Sequence, residues 1–215
     1  MPHDCCNEQE ISFTGDNPAY RRALWAVIVI NATMFVVEIA AGFAAQSQAL
    51  QADALDFLGD SMTYALSLFV IARPPLWRAN AALFKGISLA VLGLWVLGST
   101  LWRVFTDTVP EPLTMGIVGV LALIANMASV LLLLRFREGD ANVRSVWLCS
   151  RNDAIGNVAV VIAASGVFAT GTAWPDLTVA AIMASLFLTS SVRIVRQSLG
   201  ERLALANAQE TPANP

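Results

Sequence analysis

The sequence predicts an all-α polytopic membrane protein, folded as a bundle of six transmembrane helices. Of its 215 residues, 56% are hydrophobic and only 13% are charged, whereas a soluble domain carries about a quarter charged residues. The mean hydropathy is +0.62. The apolar residues form several runs of about twenty, which is the length that an α-helix needs to cross a bilayer. A transmembrane β-strand would need only about ten alternating residues.

The predicted spans are connected by short segments, which leave no room for a second globular domain. In chain order they cover residues 23–44, 50–72, 79–101, 113–134, 145–169 and 175–195. We therefore expect a polar tail at 1–22, a six-helix transmembrane domain at 23–196 and a short tail at 197–215 that begins helically and ends as a polar segment with prolines. Small residues at regular intervals in three spans predict close helix packing; these are Gly86, Gly93, Gly116, Gly119, Ala180, Ala181 and Ala184.

The basic residues predict that both termini face the cytoplasm. With the N-terminus inside, only Arg103 lies near an outer segment, and Lys85 and Arg151 lie within the inner ends of the third and fifth spans. This asymmetry follows the positive-inside rule. The remaining basic residues all lie on the inner side: Arg21, Arg22, Arg73, Arg78, Arg135, Arg137, Arg144, Arg193, Arg196 and Arg202.

Composition also limits the function. A net charge of −3 offers no basis for nucleic-acid binding, and the polar N-terminus lacks the basic and apolar regions of a cleaved signal peptide. The three cysteines, Cys5, Cys6 and Cys149, are too few and unpaired for a disulfide framework. His3, Cys5 and Cys6 either capture metal on the tail or belong to an incidental exposed segment, and both interpretations stay open.

Carboxylates occur in the second predicted span, where hydrocarbon is expected. Asp53, Asp56 and Asp60 each cost about 2.5–3.5 kcal/mol at a helix centre, so an intramembrane acid indicates a functional site. Asp56 and Asp60 are four residues apart and share one helix face. Two acids at this spacing need a cation or protons between them.

The fifth span carries a second polar series. Cys149, Asp153 and Asn157 follow one another at intervals of four and share a face. If the two spans face each other, Asp56, Asp60, Cys149 and Asp153 supply three carboxylates and one thiolate. Such a set suits a tetrahedral divalent ion, Zn²⁺ above all, and the thiolate favours softer ions such as Cd²⁺.

Four further polar residues are candidates for supporting roles. Asn157 either coordinates the ion or hydrogen-bonds one of its ligands. Asp53 lies off the face of Asp56 and Asp60, which favours an entrance or helix-start position over a ligand, although a ligand role stays open. Glu38 and Asn126 are expected to satisfy hydrogen bonds between helices.

These features resemble the cation diffusion facilitator (cation efflux) family over all six spans. The strongest parts are residues 47–60, SQALQADALDFLGD, and residues 153–158, DAIGNV, and Glu38, Gly42 and Asn126 also resemble family positions. The resemblance implies exchange of divalent metal ions for protons, usually as export from the cytoplasm. It also implies that Asp56, Asp60 and Asp153 belong to the transport site.

The sequence departs from the family pattern in two respects. Cys149 stands where the family usually has His, which bears on metal preference and on proton coupling. The chain also stops where members usually continue into a cytoplasmic, metal-binding, dimerising domain, so the resemblance supports a homodimer only weakly.

We therefore expect a secondary transporter of a bacterial inner membrane, not an enzyme, that exports Zn²⁺, Cd²⁺ or Co²⁺ against protons. Its partners are the metal ion, the lipid bilayer and a possible second copy, with no prosthetic group. Two other classes stay open. One is an intramembrane enzyme that uses paired carboxylates as acid and base, although the usual Gly-x-Gly-Asp sequence is missing. The other is a metal-sensing membrane subunit that does not transport.

Overall fold

The computed structural model describes residues 18–70, 74–106, 108–134, 136 and 141–210. In this part of the chain all regular structure is helical, which confirms the predicted fold class. The helices are α1 (Pro18–Ala44), α2 (Gln48–Val70), α3 (Pro75–Val104), α4 (Pro112–Leu134), α5 (Ala141–Thr170) and α6 (Trp174–Glu210).

Five of these helices, all except α2, are long and apolar enough to cross a membrane within the described residues. With 23 residues, α2 has the necessary length. It differs from the others in composition, because Asp53, Asp56 and Asp60 lie within two and a half turns of one another. The helix that breaks the apolar pattern is thus one of the two that carry the predicted site.

The last helix is longer than the sequence predicted. The sixth span was expected to end at residue 195 and to be followed by a tail that begins helically, and α6 continues without a break to Glu210. Residues 198–210 contain Leu, Ala, Glu, Arg and Gln, which are good helix formers, and no proline. The predicted tail is therefore helical over most of its length, and residues 1–17 of the other predicted tail lie outside the described part.

A tight turn connects α1 to α2. Gln46 takes a left-handed φ of 56°, and the Ser47 hydroxyl accepts a hydrogen bond from the Leu50 amide at 3.0 Å as the N-cap of α2. Close approach also requires a glycine here, because a Cβ on Gly42 would lie 2.9 Å from Cγ of Gln51. The residues of this turn therefore contribute to fixing the start of α2.

Helices α3 and α6 pack against each other over much of their lengths, whereas α1 packs mainly on α2 and α4 mainly on α5. A Cβ on Gly86 would lie 2.8 Å from Cγ2 of Val195, and one on Gly93 would lie 3.1 Å from Cγ of Leu188. The Ser191 hydroxyl donates to the Gly86 carbonyl at 2.8 Å. The predicted close packing at these glycines is confirmed, and α3 and α6 form one unit, here called the α3–α6 pair.

Candidate metal site

A cavity of about 350 Å³ lies between α2, α5 and the α3–α6 pair. Asp56 and Asp60 enter it from α2 and Asp153 enters it from α5, and all three are half-buried. The walls are otherwise mostly apolar, with residues that include Leu66, Phe84, Leu89, Leu92, Met183, Leu186, Phe187 and Ile194. Three predicted site residues from two helices therefore face the same space.

The three aspartates also contact one another. The Asp153 carboxyl group lies within hydrogen-bonding reach of both Asp56 and Asp60. On the α2 side, the buried Tyr64 hydroxyl donates a hydrogen bond to Oδ2 of Asp60. The charges of Asp56 and Asp60 repel each other and are both attracted by Lys85 of α3. Acidic groups thus gather around one point, where a positive charge is favourable.

The fourth predicted ligand, Cys149, belongs to α5, but its side chain lies outside the described part of the structure. His3, Cys5 and Cys6 also lie outside it. Among the described residues, no three His, Cys, Asp or Glu side chains are arranged to hold a metal ion. The aspartates face one cavity without forming a closed coordination sphere by themselves.

Asp53 lies away from this cavity, only 2% exposed, and interacts with the fully buried Glu38 of α1. This burial does not favour an exposed entrance, whereas the position of Asp53 in the second turn of α2 agrees with the helix-start alternative, and its role stays a prediction. Glu38 interacts with the Asp53 carboxyl group across the contact between α1 and α2, so its expected role in contacts between helices stays a prediction. Two acids therefore face each other between α1 and α2.

Asn157 is fully buried one turn beyond Asp153 on α5. Neither its amide nitrogen nor its amide oxygen has a hydrogen-bond partner within the described residues. Buried amide groups are nearly always satisfied by protein, water or an ion. The Asn157 amide is therefore able to bind a water or ion next to the cavity.

Sequence reasoning missed Tyr64 and Lys85 as members of the site. Tyr64 could have been found, because it lies four residues after Asp60 and so shares its helix face. The sequence places Lys85 only at the inner end of the third span. Its position in the cavity depends on how α3 packs against α6. No local pattern in the sequence carries that information.

Asp176 at the start of α6 was also missed. It is 1% exposed and accepts three hydrogen bonds from the start of α2: from the Ser47 hydroxyl at 2.6 Å, the Gln48 amide at 2.8 Å and the Ala49 amide at 3.0 Å. The side chain of one helix thus caps the N-terminus of another. This contact fixes the beginning of the helix that bears Asp56 and Asp60.

Comparison with known proteins adds a family match. The model of the cation efflux transmembrane domain matches residues 24–75 and 77–201. The zinc transporter ZitB of Escherichia coli is 31% identical over 201 residues, covering 87% of this chain and 64% of its own length. The metal cation efflux system protein CzcD of Cupriavidus metallidurans is 26% identical over 208 residues, covering 88% and 66%.

A third relative, named a cadmium, cobalt and zinc/H⁺-K⁺ antiporter, comes from Bacillus subtilis. It is 24% identical over 200 residues, which cover 84% of this chain and 63% of the relative. The chain therefore spans about two thirds of the length of these relatives.

Proposed function

Because the chain belongs to the cation efflux family, we propose that it exports a divalent metal cation, Zn²⁺ or the related Cd²⁺ and Co²⁺, in exchange for protons. The family match covers nearly all of the helical region, and relatives are named as transporters of zinc, cadmium and cobalt. Five apolar helices and bacterial relatives support a multi-pass protein of the inner membrane. The chain would act as a secondary transporter with both termini in the cytoplasm.

The observation that carries this proposal is the meeting of Asp56, Asp60 and Asp153 in one cavity. Carboxylates in a membrane interior are costly unless a cation or protons neutralise them. With the thiolate of Cys149, which precedes Asp153 by one helical turn, they would form a tetrahedral site for the metal. Asn157 would support the site from the next turn, and Asp53 would act from outside the cavity together with Glu38.

Exchange with protons follows from the chemistry of these ligands. Carboxylate and thiolate bind a metal only when they are deprotonated, so loading the metal releases protons. Protons arriving from the other side of the membrane would in turn displace the metal.

Rocking of the α3–α6 pair relative to the other four helices would open the cavity to one side and then to the other. A second copy of the chain would be a possible partner in the membrane.

A flux assay in proteoliposomes tests the proposal. We expect Zn²⁺ to move across the membrane together with an opposite flow of protons, recorded with one fluorescent dye for each ion. Asp60→Ala should abolish both flows because it removes a ligand. Ser88→Ala changes a wall residue of the same cavity that bears no charge and should leave both flows near the wild-type rate. Full activity of Asp60→Ala, or zinc movement without proton movement, would refute the proposed exchange.

A further inference from the structure

Lys85 is the basic residue of the cavity wall. It extends from α3, is half-buried, and attracts Asp56 and Asp60 on the opposite wall. Its neighbours include Leu89 and Phe84. A lysine in this position is unexpected at a site for cations, because its side chain brings a positive charge to the place where the cargo should bind.

The surroundings make this charge effective. The apolar part of the walls lowers the local dielectric constant, so charges in this cavity are screened less than in bulk water. A lysine inside a membrane also carries a cost similar to that of an aspartate, so its presence needs a compensating interaction. Asp56 and Asp60 provide that interaction.

We propose that Lys85 is a built-in competitor of the cargo. Its ammonium group neutralises part of the charge of Asp56 and Asp60 before the metal binds, and it repels a divalent ion that takes this position. Lys85 thereby lowers the affinity for the metal, so that the ion can leave the site on the far side. A transport site must bind its ion well enough to load it and weakly enough to release it.

This inference rests on the proposed function, and it predicts that replacing a residue of the site increases the affinity for the metal. Replacing Lys85 with a neutral residue should tighten metal binding by about tenfold or more, because a nearby like charge is removed from a poorly screened site. The same change should slow turnover in the flux assay, since release becomes slower. A residue that only supported the fold would weaken binding when it is replaced.

The test is calorimetric titration of Zn²⁺ alone, and of Cd²⁺ alone, into the full chain purified in detergent. Lys85→Leu removes the charge and cannot bind a metal, whereas Lys85→Arg keeps the charge. Ser88→Ala serves as the matched control because it lies on the same helix and lines the same cavity. If Lys85→Leu does not yield folded protein, Lys85→Gln replaces it as a neutral polar variant.

The expected result is tighter binding of both ions by Lys85→Leu, with Lys85→Arg and Ser88→Ala close to wild type. Asp60→Asn is measured in parallel and should lose the site. Equal or weaker binding by Lys85→Leu, with binding still lost in Asp60→Asn, would overturn this inference and leave the proposed function intact. Undiminished binding by Asp60→Asn would overturn the proposed function and this inference with it.

Discussion

At the scale of single residues, Asp60 contacts several other groups of the candidate site. Its carboxylate accepts a hydrogen bond from the Tyr64 hydroxyl, lies within hydrogen-bonding reach of Asp153 of α5 and is attracted by the charge of Lys85 of α3. These contacts hold the group at the cavity and offset some of the roughly 2.5–3.5 kcal/mol cost of an acid in a membrane. An acid at this depth is therefore expected to serve a function.

At the scale of single residues, the role of Cys149 can be tested through the metal preference of the protein. If its thiolate binds the metal, Cys149→His should lower protection against Cd²⁺ relative to Zn²⁺ by about tenfold, or about 1.4 kcal/mol, because imidazole is a harder ligand than thiolate. Growth of cells that express each variant is measured over a range of Zn²⁺, Cd²⁺ and Co²⁺ concentrations.

The tail cysteines provide the control for this measurement. A Cys5→Ser and Cys6→Ser double variant removes the other two thiols and separates any contribution of the tail from that of Cys149. Identical protection by wild type and Cys149→His against every ion would show that Cys149 is not a ligand.

The individual site residues were partly predictable. Spacing alone indicates that Asp56 and Asp60 share a face and that Asp153 and Asn157 do so on another helix, since this follows from the period of the α-helix. Whether the two faces meet depends on tertiary packing. The same limit applies to Lys85, whose direction is decided by the partner helix of α3 rather than by its neighbours in the chain.

Helix α2 illustrates what the sequence can predict about an element. Its length follows from the apolar run, and its start follows from Ser47, whose hydroxyl caps the first turn. The end of α6 was less accessible, because the apolar run stops near residue 195 while helix-forming residues continue to Glu210. Hydrophobicity marks where a helix leaves the membrane, and helix propensity governs where it ends.

The contact of α3 with α6 yields a prediction about stability. Gly86→Val should destabilise the protein by about 1–3 kcal/mol, because the new side chain would overlap Val195 in a well-packed contact. The midpoint of thermal unfolding in detergent measures the effect.

Gly98→Val is the matched control for this change. It places the same residue in the same helix, at a position where a Cβ would meet no atom within 4 Å, so it isolates the effect of packing from that of helix propensity. Equal unfolding midpoints for the two variants would contradict the proposed tight contact at Gly86.

At the scale of the whole molecule, the α3–α6 pair is joined to the other helices at the start of α2. Asp176 of α6 caps α2 there, and Arg103 of α3 donates to the Gln46 carbonyl at 3.2 Å. The cavity opens further along the same helices, between the pair and α2 and α5. Motion of the pair about this connection would change access to the aspartates while the start of α2 stays in place.

Asp176→Ala should therefore lower the stability of the protein by about 2 kcal/mol or more. The change removes a helix cap, which contributes about 0.5–2 kcal/mol, and it deprives buried donors of a charged acceptor. Asp176→Asn keeps one acceptor oxygen and should show a smaller loss. Unfolding midpoints of the three proteins provide the comparison, and an Asp176→Ala midpoint equal to that of wild type would exclude this connection.

The contact between Asp176 and the start of α2 could not be predicted from the sequence. Ser47 and Asp176 are 129 positions apart, and an aspartate near a helix start is normally explained by its own helix. Pairwise packing of helices and contacts between distant termini emerge only in the folded chain. For this reason the sequence predicts the family and the candidate ligands, whereas the connection between the two groups of helices requires the folded structure.

The central claim is that Asp56, Asp60 and Asp153 share one divalent cation. The most direct test is anomalous diffraction at the zinc absorption edge from crystals of the chain grown with Zn²⁺. We expect an anomalous peak inside the cavity, in contact with carboxylates from both α2 and α5. A zinc peak beside Glu38 and Asp53 instead, with the cavity empty in a protein that transports zinc, would contradict the claim.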